Sequence, residues 1–382
     1  MARREYDILI IGASGFAGTF CTSAFAGNQN AFASLNLPKN LLPDANIKYA
    51  IMGRSQEKLE ALAKKCGCTD TVGIVPVPNP DTDYDSVTTA VARATLVLDT
   101  LSDHASKARE NVAKACAEIG THLLSLSGMW DGISGNYELA NELDKKARET
   151  NVLLSPWVGW ITVPYEQMIG VGLNYVQKQR KDGNARKIKH ILCYTMMTTG
   201  KGATEQHTLP EKVRHTLGTD IKCARPMFAS VNTHVITKVV EHLNIGTNDF
   251  KFEEFSPSTV AMLDSVHSVR DFNQRKLYKW DCIIKLLMDD GQSVMVSLKD
   301  GNDCMYEETI SYLVASSLYL IKNQDKCVAG INYSLDGLGD GLLVEMKKYG
   351  LPTIQVVDEN ITLYQFVKNV LDGYQNNEMA KI

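Results

Sequence analysis

Ile8-Leu9-Ile10-Ile11-Gly12-Ala13-Ser14-Gly15-Phe16-Ala17-Gly18 decides how the N-terminal part of this chain is read. Four consecutive branched apolar residues suit a parallel strand buried on both faces. The glycines that follow permit a tight turn, a close backbone approach to a pyrophosphate, and a helix whose first N–H groups face the anion. The stretch therefore predicts a dinucleotide site, with Gly12, Ser14, Gly15, Phe16 and Gly18 on its phosphate side. Its glycine spacing is one residue longer than the usual fingerprint. A close strand-to-helix crossover with no ligand is the structural alternative.

Downstream, short apolar runs at 7–11, 48–52, 73–77, 95–100, 122–126 and 152–154 alternate with helical patterns at 16–26, 56–65, 84–94, 105–119 and 137–149. That alternation is the pattern of a doubly wound parallel sheet. The stretch 28–46, with Pro38 and Pro43, reads as a surface loop. A helix at 163–177 leaves this region, and longer strands at 187–197, 280–287 and 294–298 predict an antiparallel sheet. Between them, 205–215 and 237–243 carry helical patterns, and helices are expected at 306–321 and 340–349. The expected fold is α/β: an N-terminal Rossmann-type doubly wound parallel sheet (1–165) and a second α+β domain on a mostly antiparallel sheet (166–305). The C-terminal helices (306–382) are expected to pack back on the first domain.

A chain of 382 residues is long enough for two such domains. Its net charge of -4 gives no electrostatic basis for a nucleic-acid partner. The basic run at 178–189 is interrupted by Asp182-Gly183-Asn184 and reads as solvated surface. Nine cysteines, an odd number without repeated spacing, point away from a disulfide framework and towards a reducing compartment. Cys66-Gly67-Cys68 is too tight for a zinc knuckle, so no metal is expected. No apolar stretch is long enough to span a membrane. A cytoplasmic location is expected, with a peroxisomal one as the alternative because Ala380-Lys381-Ile382 is similar to a small-basic-aliphatic import tail.

The second strand ends in Gly53-Arg54-Ser55, with Lys58 in the next turn. An acidic residue here accepts from the ribose 2′-hydroxyl of NAD, whereas Arg accommodates the 2′-phosphate of NADP. Arg54 supplies a guanidinium for paired hydrogen bonds, Ser55 a hydroxyl and Lys58 a second positive charge. NADP(H) is the expected cofactor. A surface Arg at a helix start is the alternative.

These residues also carry a resemblance. The segment 11–18, Met52-Gly53-Arg54-Ser55 and Lys58-Leu59 resemble the saccharopine dehydrogenase-like oxidoreductases, whose relatives include trans-acting enoyl reductases. The likeness continues through 112–121 and Leu126-Ser127-Gly128, and again from 306 to 320 with Gly330 and 338–343. It implies that Leu101 and Ser102 run beside the nicotinamide. It also implies that Ser127 and Thr162 stand near the substrate; Trp157 and Trp160, which flank Gly159 after the sixth strand, suit an apolar substrate wall by their strand-end position, with packing as the alternative. Two segments depart from the family: Leu101-Ser102-Asp103-His104-Ala105-Ser106 replaces a Gly-Pro-Tyr stretch, and Ile161 replaces the Asp of a Gly-Phe-Asp-Ser segment. No proton donor is identified; His104, Tyr165 and His207 are the candidates.

The resemblance implies an NADPH-dependent oxidoreductase that transfers hydride to a C=C (enoyl) or C=N (imine) bond of a small or lipid-like substrate. Homodimer formation is an open expectation. A non-catalytic nucleotide-binding or lipid-surface protein of the same fold is the alternative, motivated by the two departures.

Overall fold

The computed structural model describes residues 4–27, 47–101, 106–179, 186–198, 229–255, 279–301 and 307–357. The expected loop at 28–46, the helical pattern at 205–215 and the tail at 380–382 lie outside them. Two compact units emerge, one made of 1–163 with 306–351, the other of 164–305 with 352–382.

The first unit opens with β1 (Tyr6–Ile11), α1 (Phe16–Phe25), β2 (Tyr49–Gly53), α2 (Gln56–Cys66), β3 (Gly73–Pro76) and α3 (Tyr84–Val91). It continues with β4 (Ala94–Asp99), α4 (Ser106–Ile119), β5 (His122–Ser125), α5 (Tyr137–Glu149) and β6 (Leu153–Ser155). β1 pairs in parallel with both β2 and β4, Ile11 standing opposite Met52 on one side and Asp99 on the other. Ile8, Leu9 and Ile10 are fully buried, as a strand covered on both faces requires.

Every predicted strand and helix of this region is present, with ends shifted by at most three residues and the helix at 137–149 not shifted at all. α2 shows why its boundaries were readable. Ser55 caps its start by accepting from the Lys58 N–H, and Gly67 ends it in the left-handed conformation, with φ +70°.

In the second unit, α6 (Val163–Lys178) begins at the unit boundary and is followed by β7 (Ile188–Thr198), α7 (Ala229–His242), β8 (Gly246–Phe255), β9 (Lys279–Met288) and β10 (Ser293–Gly301). β7–β9 and β9–β10 are antiparallel, and β7–β8 is parallel. β8 has no counterpart in the sequence reading, because Gly246-Thr-Asn-Asp-Phe-Lys-Phe-Glu-Glu-Phe255 carries too little apolar alternation. α6 packs on this sheet, where Gly172 meets Leu286, Val294 and Val296.

The chain then returns to the first unit. α8 (Thr309–Lys322) contacts α1, β4 and β5, and every residue from Ile310 to Leu320 is buried. β11 (Gly330–Ile331) adds to β6, giving the seven-stranded order β11-β6-β5-β4-β1-β2-β3. A π-type turn at Ser334–Leu338 and α9 (Gly341–Lys348) follow. Beyond Leu351 the expectation of a helical tail fails for the described residues. β12 (Ile354–Val357) is an antiparallel edge strand on β10, completing a five-stranded sheet β12-β10-β9-β7-β8. Among the described residues, no helix is long and apolar enough to cross a membrane.

Candidate functional site

The strand order reverses between β1 and β4, and ligands of open α/β sheets bind outside the carboxyl ends of strands at such a point. Here the turn after β1 and the turn after β4 touch. Gly12 has φ +77°, and a Cβ on it would stand 3.1 Å from the backbone of Thr100 and Leu101. A Cβ on Gly18 would meet the Gly12 carbonyl oxygen at 2.3 Å and Thr100 Oγ1 at 2.7 Å, so α1 can sit this close to the turn only with glycine there. Thr100 Oγ1 donates to the Ile11 carbonyl at 2.7 Å.

Gly15 is the N-cap of α1 with no side-chain cap bond, and the first turn holds no acidic residue. No side chain of the chain caps this helix start, and the field at a helix N-terminus favours an anion. Ser14, Gly15 and Phe16 are exposed at the same turn. This cradle, with glycine wherever a side chain would intrude, fits a dinucleotide pyrophosphate.

At the end of β2, Arg54 and Lys58 are exposed, and Ser55 is spent partly on capping α2. A Cβ on Gly53 would lie 3.6 Å from Ser14 Oγ, which places the Arg54 turn against the glycine turn. The 2′-phosphate candidates and the pyrophosphate candidates therefore lie together.

The turn after β4 is fixed by a buried ion pair that sequence reasoning missed. Asp99 Oδ2 accepts from Arg109 Nε at 3.0 Å and from Ser125 Oγ at 2.7 Å, while Oδ1 takes the Leu101 N–H at 2.9 Å. Arg109 also donates to the Leu101 carbonyl at 2.6 Å. Both side chains are 1% exposed. A signal existed: a buried apolar strand ending in Asp requires a partner, and Arg109 lies on the Ala108–Val112 face of α4.

Leu101 is half-buried at this switch point, and Ser102 and His104 fall outside the described residues, as does His207. Ser127 is buried just beyond β5, its N–H bonded to Ser125 Oγ at 3.1 Å. After β6, Trp160 is 4% exposed and Thr162 is 1% exposed, its hydroxyl on the Trp157 carbonyl. The Trp160 N–H donates to Thr309 Oγ1, so this turn rests on the start of α8. Of the two tryptophans read as a substrate wall, Trp157 alone reaches solvent. Its indole N–H donates to Asp131, a second residue that the sequence did not reveal, because Met129-Trp130-Asp131-Gly132 reads as an ordinary turn.

Tyr165 does not present a phenol. It lies in the second unit, 2% exposed, stacked at 6.5 Å on Trp280, with its hydroxyl bonded to Thr195 Oγ1 at 2.9 Å. Thr195 leads on to Glu254, which also accepts from Asn232. Burial pushes the phenol far above its ordinary range. His122 is another buried titratable group, its Nδ1 accepting the Leu153 N–H at 3.0 Å, and burial lowers it to about 4. Among the described residues, no three His, Cys, Asp or Glu side chains gather as a metal site.

No family model matches the chain. Over 186 residues, 46% of this chain and 38% of the relative, it is 28% identical to the saccharopine dehydrogenase-like oxidoreductase of Rattus norvegicus. Over 171 residues it is 30% identical to that of Bos taurus, covering 42% of this chain and 36% of the relative. The matches thus span little more than a third of either curated relative. Among solved structures, apo histidine-tagged saccharopine dehydrogenase (L-Glu forming) from Saccharomyces cerevisiae matches at TM-score 0.55 and 13% identity, covering 92% of this chain and 100% of that one. That likeness is one of fold. Over nearly half of its sequence the chain is thus similar to curated saccharopine dehydrogenase-like oxidoreductases, and over almost all of its length it shares the fold of a saccharopine dehydrogenase.

Proposed function

We propose that the first unit binds NADP(H) and that the protein is an oxidoreductase reducing a C=C or C=N bond of a small or lipid-like molecule. The observation that carries this reading is the glycine cradle at the switch point, where Gly12 and Gly18 leave room for backbone alone. When bound, a nicotinamide supplies the hydride. The chain's own residues bind and orient. The α1 N-terminus takes the pyrophosphate, Arg54 and Lys58 take the 2′-phosphate, and the Asp99–Arg109 pair holds the Leu101 backbone against the cradle. The names of the curated relatives support an oxidoreductase.

Calorimetry with NADPH and NADH tests the cofactor. Arg54→Asp is expected to weaken NADPH binding by about 2 kcal/mol or more, in the range for losing one partner of a charge pair, and to leave NADH nearly unchanged. Equal losses would remove the assignment to NADP(H). Turnover is followed by nicotinamide absorbance with enoyl thioesters and cyclic imines. Tight NADPH binding without oxidation of any of them would favour the non-catalytic reading, which the altered 101–106 and 159–164 segments motivate.

A further inference from the structure

Trp157 is a strained residue held in place from four sides. Leu124 pairs with Ser155, and the next β5 carbonyl, that of Ser125, accepts from Val158 N–H at 2.8 Å, so Pro156 and Trp157 are looped out of the ladder. Looping out residues in this way re-aims a side chain, and such features concentrate beside active sites. Trp157 has φ +58°, in the left-handed region that disfavours a side chain.

The indole lies on Gly128, where a Cβ would stand 1.9 Å from Nε1. Its Nε1–H donates to Asp131 Oδ2 at 3.0 Å, and Thr162 Oγ1 donates to the Trp157 carbonyl at 2.5 Å. Asp131 is 7% exposed and also accepts from the Tyr333 hydroxyl at 3.2 Å and the Ile133 N–H at 3.0 Å. One residue before Gly128, Ser127 Oγ is buried with no hydrogen-bond partner among the described residues.

Packing alone does not account for this. Trp130, Trp160 and Trp280 are buried at relaxed backbone positions, whereas Trp157 combines strain with partial exposure. A buried carboxylate is costly, and strain persists only where its surroundings over-determine it. β5 and β6 also belong to the half of the sheet across the switch point from the Arg54 turn, the half that receives the second nucleotide of a dinucleotide.

We propose that Trp157 is the aromatic wall of the nicotinamide-side subsite, recognising a planar ring or conjugated group by face contact, and that Asp131 is the positioning residue that fixes it. The proposal rests on the dinucleotide reading above.

Because Trp157 is the one tryptophan that reaches solvent, acrylamide quenching of tryptophan fluorescence reports on it. Trp157→Phe is expected to remove most of the quenchable emission of the ligand-free protein. In the unaltered protein, saturating NADP⁺ lowers the quenching constant about twofold, as burial against a ligand implies. The probe 2′-phosphoadenosine 5′-diphosphoribose, which lacks the nicotinamide ring, leaves it near the ligand-free value. Asp131→Asn raises the ligand-free constant and weakens NADP⁺ more than the ringless probe.

Equal protection by the two nucleotides, or none by NADP⁺ when calorimetry shows it bound, overturns the proposal while sparing the dinucleotide reading. Failure of both to bind overturns the dinucleotide reading itself and the proposal with it. Should Asp131→Asn fail to fold, the two-nucleotide comparison on the unaltered protein still decides.

Discussion

The turn after β1 and the turn after β6 both take the backbone through positive φ at the carboxyl end of a parallel strand, and they do so with opposite residues. After β1 the position is Gly12, at φ +77°; after β6 it is Trp157, at φ +58°. Glycine adopts that conformation without strain and leaves the backbone bare, which suits a turn that must approach a pyrophosphate. Tryptophan pays in strain and gains an aimed ring. The β1 half is accordingly built from backbone and absence of side chains, and the β5–β6 half from side-chain hydrogen bonds: His122 on Leu153, Asp131 on Trp157 and Tyr333.

The comparison is broken most severely at the joint between the halves. Asp99 at the end of β4 is tied to Ser125 of β5 on one side and, through Leu101, to the Gly12 turn on the other. Arg109→Met strands a buried carboxylate and should cost about 3–5 kcal/mol, read as a fall in the urea midpoint. Adding Asp99→Asn should recover part of that loss, since an uncharged amide replaces the unpaired charge. If the single variant unfolds as late as the parent, the pair does not join the halves.

A pH series sharpens the contrast next. His122 spends its Nδ1 on a strand N–H, so the folded imidazole must stay neutral, down to about 4 against an ordinary 6.5. Between those values the unfolded chain binds a proton that the folded one refuses, so stability falls as pH drops from 6.5 to 4 and levels off below. The gap corresponds to about 3 kcal/mol at most. His122→Asn keeps an acceptor for Leu153 and removes the titration. Its urea midpoint should therefore decline less than the parent's between pH 7 and pH 4.5. Parallel declines would show that the imidazole is not what holds β5 to β6.

The same contrast explains what could be read from the chain alone. The β1 half was legible because glycines and branched apolar runs act locally: Gly12, Gly15 and Gly18 constrain their own backbone, and Arg54 follows its strand at a readable offset. The β5–β6 half depends on residues distant in sequence. Tyr333 reaches Asp131 across 202 positions, and Thr309 meets Trp160 across 149. Nothing near Asp131 announces that it will be buried, and nothing near Tyr165 announces that its hydroxyl will be consumed by Thr195 in the second unit. β8 and β12 escaped for a related reason, since β8 carries charge and β12 is only four residues long.

The smallest expected effect isolates strain from contact. Trp157→Ala and Trp157→Gly both delete the ring and leave Asp131 with the same lost donor. They differ in one respect: alanine keeps the Cβ that the left-handed backbone resists, and glycine removes it. Trp157→Gly should therefore be more stable than Trp157→Ala by about 1 kcal/mol, measured as a difference in urea midpoints at constant slope. Equal midpoints would mean that the turn relaxes once the indole leaves, Asp131 acting through the ring and the Thr162 bond to the carbonyl of residue 157 not holding the backbone by itself. A more stable glycine variant would mean that the looped-out conformation belongs to the chain between β6 and α6. In that case tryptophan occupies the position despite the backbone, and what selects it there is its ring.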